Sequence, residues 1–187
     1  MKGYIYTMYA GADPGKGWKM TDPIYSKIPT LGACMPNIRR AVEINDYIFS
    51  ISGRLKDVKQ YIVGGFAVDE KINALTAYER FPENRMVPTE NGLVKGNIII
   101  DANGNHLDYD YHTNFEKRID NYIIGKDPII IENPKQIEKA REETLYFLNH
   151  LFGKKEESIH KITARWRKLD KAQVTDVLDW LHDIKRS

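Results

Sequence analysis

Tyr47-Ile48-Phe49-Ser50-Ile51-Ser52-Gly53, followed after a polar break by Gln60-Tyr61-Ile62-Val63 and Phe66-Ala67-Val68, decides the fold class of this chain. Both runs are rich in β-branched and aromatic residues, and Gly53 bounds the first, so they read as strands. Gly64-Gly65 interrupts the second, and a glycine pair inside a strand marks a bulge or a close backbone approach. Gly3 to Tyr9, again rich in Tyr and Ile, reads as an opening strand. The C-terminal third changes period. Asn133 is placed to cap a helix, with Pro134 at its first position and Gln136 completing a capping box. Ile137, Ala140, Thr144, Leu145, Leu148 and Leu151 then recur at helical spacing until Gly153. A short helix is expected near Glu157 to Lys168, with Trp166 on its core stripe. A last helix begins at Asp170, with an apolar stripe of Val174, Val177, Leu178, Leu181 and Ile184. Strands early and helices late predict an α+β fold with a small, mostly antiparallel sheet and flanking helices. Residues 1–132 form the expected core domain, and 133–187 a helical extension packed on it.

Between these anchors, Ala10 to Ala33 reads as a long loop punctuated by glycine and proline, a length that is often functional. Pro36 opens a helical turn through Arg40. Asn73 to Arg80 reads as a short helix, Phe81 to Gly96 as a polar loop, and Asn97 to Asp101 as a strand ended by the Asn103-Gly104 turn. Asn114 to Ile123 is predicted helical, and Asp127 to Ile131 an edge strand.

A chain of 187 residues suits one buried core, and 42% hydrophobic against 29% charged residues excludes wholesale disorder. The 28 basic and 26 acidic residues leave a net charge of +2, too balanced for strong non-specific DNA binding. A local basic site remains compatible with it. One cysteine, Cys34, excludes an internal disulfide framework and a cysteine-rich zinc site, which points to a reducing cytoplasm. No stretch approaches the ~20 apolar residues of a membrane span, and the N-terminus is too polar for a signal peptide. Eleven Tyr and three Trp suit half-buried sheets and also base-stacking surfaces.

The segment Gly11-Ala12-Asp13-Pro14-Gly15-Lys16-Gly17 is not a phosphate loop. Three residues, not four, separate its first two glycines before the lysine, and Gly17 stands where Ser or Thr would hold magnesium. It is an ordinary glycine-rich loop or, with Trp18, a lid over a pocket. His106-Leu107-Asp108-Tyr109-Asp110-Tyr111-His112, read as a strand, lines His106, Asp108, Asp110 and His112 along one face. That face is a solvated one, or Asp110 and His112 act as acid and base. The ends of such a strand diverge by over ~13 Å, so at most a neighbouring pair could share an ion. Cys34 is either a buried inert thiol or a nucleophile, the latter only if neighbouring groups activate it. Arg39 and Arg40 offer planar forks for phosphate, or a surface ion pair. Gly64-Gly65 followed by Phe66 could seat a planar ligand, or be a plain bulge. His160 to Lys168 mixes basic and aromatic residues as nucleic-acid grooves do, with a solvated face as the other reading.

Four features in order resemble the second of the nucleotide modification associated domain families. They are the aromatic strand Tyr4 to Tyr9; Leu31-Gly32-Ala33-Cys34-Met35-Pro36-Asn37-Ile38-Arg39-Arg40 leading into Ile44-Asn45-Asp46-Tyr47-Ile48; Gln60 to Phe66; and His112-Thr113-Asn114-Phe115-Glu116-Lys117-Arg118. Asn45-Asp46-Tyr47-Ile48 is also similar to the strand entry of PUA-like base-binding domains, with Asn45 where those carry glycine. The resemblance implies a partly barrel-like sheet and a role near nucleotides, modified nucleotides or DNA bases, in phage hypermodification or defence. The sequence as a whole nominates Tyr9, Arg39, Arg40, Ser52, Gly53, Gly64, Gly65, Phe66 and Arg118 as nucleotide-binding residues, with Asp110 and His112 as catalytic candidates and no metal. It names no cofactor and no oligomeric state. An enzyme, a non-catalytic base reader and a protein-interaction module all remain open.

Overall fold

The computed structural model describes residues 1–90 and 92–187. In chain order the strands are β1 (Gly3–Thr7), β2 (Thr30–Leu31), β3 (Tyr47–Ile51), β4 (Ile62–Ile72), β5 (Val87–Pro88), β6 (Val94–Lys95), β7 (Tyr122–Ile130) and β8 (Trp166–Leu169). The helices are α1 (Pro36–Ala41), α2 (Ala74–Arg80), α3 (Pro134–Leu151), α4 (Ile159–Thr163) and α5 (Lys171–Arg186). The fold is α+β, as expected. Six strands run in the order β2-β7-β4-β3-β1-β8 in a mostly antiparallel sheet, and β5 and β6 form a separate ribbon. The sheet is not closed into a barrel, which corrects that expectation: the two-residue β2 and the four-residue β8 stand at its edges. Among the described residues, no helix is long and apolar enough to cross a membrane.

The chain divides into two compact units, one of Met1–Lys19, Asp46–Ala67 and Pro128–Ser187, the other of Met20–Asn45 and Val68–Asp127. The helices beyond Glu132 thus share a unit with β1 and β3. In this first unit β1 lies between β3, parallel to it, and β8, antiparallel. Ser50 pairs with Gly64 but Ile51 with Ile62, so Val63 is an extra residue and β4 carries the expected bulge beside its glycine pair. The apolar stripe of α5 is buried at Val174, Val177, Leu181 and Ile184, and Phe147 of α3 stacks on Trp180 at 5.0 Å. Asp170 and Gln173 form a complete capping box. Asn133 caps α3 through the Lys135 N–H, but Gln136 donates to the Lys185 carbonyl instead of closing a box.

The helix expected over Glu157 to Lys168 stops at Thr163, because Ala164 takes a positive φ of 51°. The next residues become β8 and satisfy the free edge of β1, with Trp166 opposite Tyr6. Trp166 is therefore 38% exposed on an edge strand, not core.

In the second unit Ala74, Ala77, Phe81, Ile98, Ile100, Tyr122 and Ile124 pack into one cluster, with Ala33, Met86 and Ile99 in a smaller one. Asn97 to Asp101 is extended and its isoleucines are buried, yet it makes only isolated bridges, Arg85 with Ile98 and Ile100 with His106. The Asn103-Gly104 turn is present, tied by the Asp101 carboxylate to the N–H groups of Asn103 and Asn105. The helix predicted over Asn114 to Ile123 shrinks to a 3-10 turn at Phe115–Lys117, since Asn114 and Asn121 both adopt positive φ. Within the polar loop Phe81 to Gly96, β5 and β6 pair; residue 91 lies outside the described residues.

Candidate active site

The site lies in the second unit and starts from a buried carboxylate. Asp22 accepts the backbone N–H groups of Gly32 and Ala33 at 2.8 and 2.9 Å and that of Cys34 at 2.5 Å. Asn97 donates at 3.0 Å to Asp22 Oδ1, the oxygen that also accepts from Gly32, and is itself held by the Tyr122 hydroxyl, which donates to its Oδ1 at 2.8 Å. Three consecutive N–H groups turned onto one acceptor force the chain into a tight curve before α1. Met35 completes it with a positive φ of 51°, and Pro36 starts the helix. The half-buried Cys34 side chain leaves the chain at this bend.

Arg39 fixes the bend from beneath. It is fully buried, and its five N–H donors meet five backbone carbonyls: Cys34, Ala33, Arg118, Asp120 and Asn121, at 2.8 to 3.3 Å. Burial lowers this guanidinium to about 10, so it stays cationic at neutral pH. With every donor taken, it has none left for a phosphate. The expectation that Arg39 grips a nucleotide is corrected: it is a framework residue.

The His106 to His112 segment is not a strand. After the single bridge at His106 it turns, with the Asp110 N–H bonded to the Leu107 carbonyl at 3.0 Å. The turn removes the divergence a straight strand would impose and brings both imidazoles to one carboxylate. His112 Nδ1 lies 2.6 Å from Asp110 Oδ1, and His106 Nε2 lies 2.7 Å from Oδ2. Asp108 makes no hydrogen bond or ion pair with this group. The carboxylate only accepts, so each of these ring nitrogens carries its proton. Neutral His112 then presents a bare Nε2, and that atom lies 3.6 Å from Cys34 Sγ. Thiol, imidazole and carboxylate thus line up in the order that activated nucleophiles use, with the base oriented by a third group. His106, stacked on Phe115 at 4.3 Å, anchors the far oxygen.

Electrostatics refine this arrangement. Burial by itself would raise the Asp110 carboxyl, but the hydrogen bonds from His112 and His106 outweigh it and hold the group below the usual carboxylate range. Burial pushes the Cys34 thiol up, and the neighbouring Asp22 carboxylate pushes it further; Arg118 and Arg39 pull the other way without prevailing. The resting thiol is therefore protonated. A reaction at this sulfur needs His112 to take the proton as the new bond forms, as a hydroxyl nucleophile would require, instead of starting from a stored thiolate.

Arg118 closes the group. Its Nη1 donates to the Ala33 carbonyl at 2.7 Å and its Nε to the Thr113 carbonyl at 2.7 Å. Arg40 is exposed and donates to Asn37 Oδ1 at 3.1 Å. It helps line a cleft of about 140 Å³ that begins at Pro36, with Lys117 contributing a second cation and Glu116 and Asp120 two anions. Among the described residues, no three His, Cys, Asp or Glu side chains are placed to hold a metal ion.

No protein-family profile, curated protein or solved structure matches this chain.

The remaining nucleotide-binding candidates lie in the first unit, where packing accounts for most of them. A Cβ on Gly64 would come within 2.1 Å of the Ile129 carbonyl, and one on Gly65 within 2.2 Å of the Phe49 ring. The glycine pair therefore admits protein neighbours, and the fully buried Phe66 is no stacking platform. Gly53 is pressed against the Tyr9 carbonyl, and the buried Ser52 hydroxyl accepts from the Tyr61 N–H at 3.0 Å. Tyr9 is exposed and meets Trp18 edge-on at 5.4 Å.

Sequence reasoning missed Asp22. An acidic residue inside a glycine- and proline-rich loop was the available signal, but nothing local says which backbone it will bind.

Proposed function

We propose that this chain is an enzyme that uses Cys34 as a covalent nucleophile on an electrophilic carbon of a nucleotide or nucleobase. The observation carrying the catalytic half is the 3.6 Å approach of Cys34 Sγ to His112 Nε2, whose ring is held at 2.6 Å by Asp110. The sequence resemblance supports the substrate half. In the reaction, an Sγ–C bond forms while the thiol proton passes to His112 Nε2. The electron pair of the attacked C=O or C=N bond moves onto its heteroatom. The imidazolium then returns its proton to that heteroatom or to a leaving group. Asp110 stays ionised throughout and stabilises the imidazolium. Such chemistry requires a reduced thiol and suits a cytoplasmic protein.

A second reading is favoured by one feature. The N–H groups of residues 32–34 are already bonded to Asp22, so they do not form an oxyanion hole. On that reading the site recognises a modified base without turnover, as PUA-like readers do. The two are separated by alkylating the protein with iodoacetamide at neutral pH. His112→Ala should slow modification of Cys34 by about 10²-fold or more, the scale of general-base assistance, while nucleotides still raise the melting temperature. A rate within twofold of wild type, with nucleotide binding intact, would overturn the enzyme in favour of the reader. Absence of any shift with nucleotides, oligonucleotides or modified bases would remove the substrate half.

A further inference from the structure

Arg118 occupies an unusual position in the candidate site. One arm of its guanidinium is bonded to the carbonyl of Ala33, which is joined directly to Cys34. Another is bonded to the carbonyl of Thr113, the residue after His112. The side chain is thus clamped between the segment that carries the thiol and the segment that carries the base, although 78 residues separate Cys34 from His112 in sequence. Two carbonyls hold its plane, so little rotamer freedom is left to lose on binding. Its third nitrogen, Nη2, makes no hydrogen bond to any described residue. Arg39 nearby shows the contrast, since all five of its donors are consumed. The anions around the sulfur are also already matched: Asp22 by three N–H groups and Asn97, and Asp110 by two imidazole N–H groups. The half-exposed face of Arg118 is therefore a pre-oriented cationic fork beside a nucleophile, with three N–H donors to spare, one on Nη1 and two on Nη2.

We infer that Arg118 receives an oxyanionic group of the substrate, a carboxylate or a phosphate, and thereby restricts Cys34 to carbon electrophiles that carry a negative charge close to the reacting atom. This rests on the reading of Cys34 as nucleophile and adds to it the substrate's charge and where that charge sits. Planar, two-oxygen anions match the fork in geometry, which an ammonium could not reproduce.

Two alkylating reagents of nearly equal size test it, iodoacetamide, which is neutral, and iodoacetate, which is anionic. The ratio of their rates at Cys34 reads the local charge and cancels any general change in thiol reactivity. Arg118→Gln should lower the iodoacetate-to-iodoacetamide ratio by about tenfold, since one near ion pair in a partly solvated site contributes on the order of that factor. Arg118→Lys, keeping the charge, should retain most of the preference. A ratio unchanged in Arg118→Gln overturns the inference. The iodoacetamide rate alone, compared between wild type and His112→Ala, reports separately whether the nucleophile reading stands. Because Arg118 also holds two loops, circular dichroism must show the variant folded. If it is not, inorganic phosphate on wild type decides. Slower labelling in phosphate than in chloride at equal ionic strength supports the site, and equal rates overturn it.

Discussion

Replacing Arg39 with lysine separates a framework role from a ligand-binding one. The guanidinium satisfies five carbonyls, four of them on buried or half-buried residues and one on the exposed Asp120, and an ammonium has three donors on a shorter reach, so at least two carbonyls lose their partner. Each buried polar group left unsatisfied costs about 1–3 kcal/mol. Arg39→Lys should therefore lose about 2–6 kcal/mol, a large share of the ~5–15 kcal/mol that holds a typical domain together. The assay is equilibrium unfolding in urea followed by tryptophan fluorescence. With a slope of about 2 kcal/mol per molar urea, the midpoint should fall by about 1–3 M. Cys34 should also label faster in the variant under native conditions, because the bend beneath it is loosened. A midpoint lowered by less than about 0.3 M, together with lost nucleotide binding, would refute the reasoning and return Arg39 to the role of phosphate ligand.

Three further outcomes are expected. Gly65→Ala should destabilise by about 1–3 kcal/mol, measured by the same unfolding, because the new methyl meets the Phe49 ring at 2.2 Å; a neutral effect would mean the pair was kept open for a ligand. Asp13→Ala should cost about 3–5 kcal/mol, because it strands Arg141, now bonded to it at 2.7 Å, over the Tyr61 ring. A loss under 1 kcal/mol would show that solvent already compensates that cation. Asp110→Asn should be less stable than wild type at neutral pH, and the gap should close in acid. The folded Asp110 carboxyl titrates below an unfolded aspartate, about 3.9, so its contribution is complete above that pH and is lost as pH falls through the folded value. Melting temperatures at pH 7 and pH 3 that differ equally between the two proteins would contradict this.

Legibility followed locality. The α5 helix was readable because its cap and its stripe both lie within one short segment. The same holds for β3 and β4, where composition, bounding glycines and the bulge agree. By contrast, Trp166–Leu169 carries a helical apolar spacing that the open edge of β1 overrides, since pairing there satisfies backbone groups no helix could reach. The His106 to His112 segment misled in the other direction. Its alternation suits a strand, but a turn lets two imidazoles share the buried Asp110 carboxylate.

By itself the amino-acid order determined an α+β chain, the main strands and helices, and the residue types able to carry chemistry: one thiol, a histidine–aspartate cluster and a few arginines. Tertiary structure alone decided their roles. Arg39 and Arg118 look equivalent along the chain, yet one is buried with every donor bonded and the other keeps a nitrogen that bonds none of the described residues. Cys34 meets an imidazole only because the fold brings His112 to it across 78 residues. The reason is physical: propensity and periodicity act over a few neighbouring residues, whereas burial, hydrogen-bond satisfaction and charge proximity depend on which distant segments come to share a space.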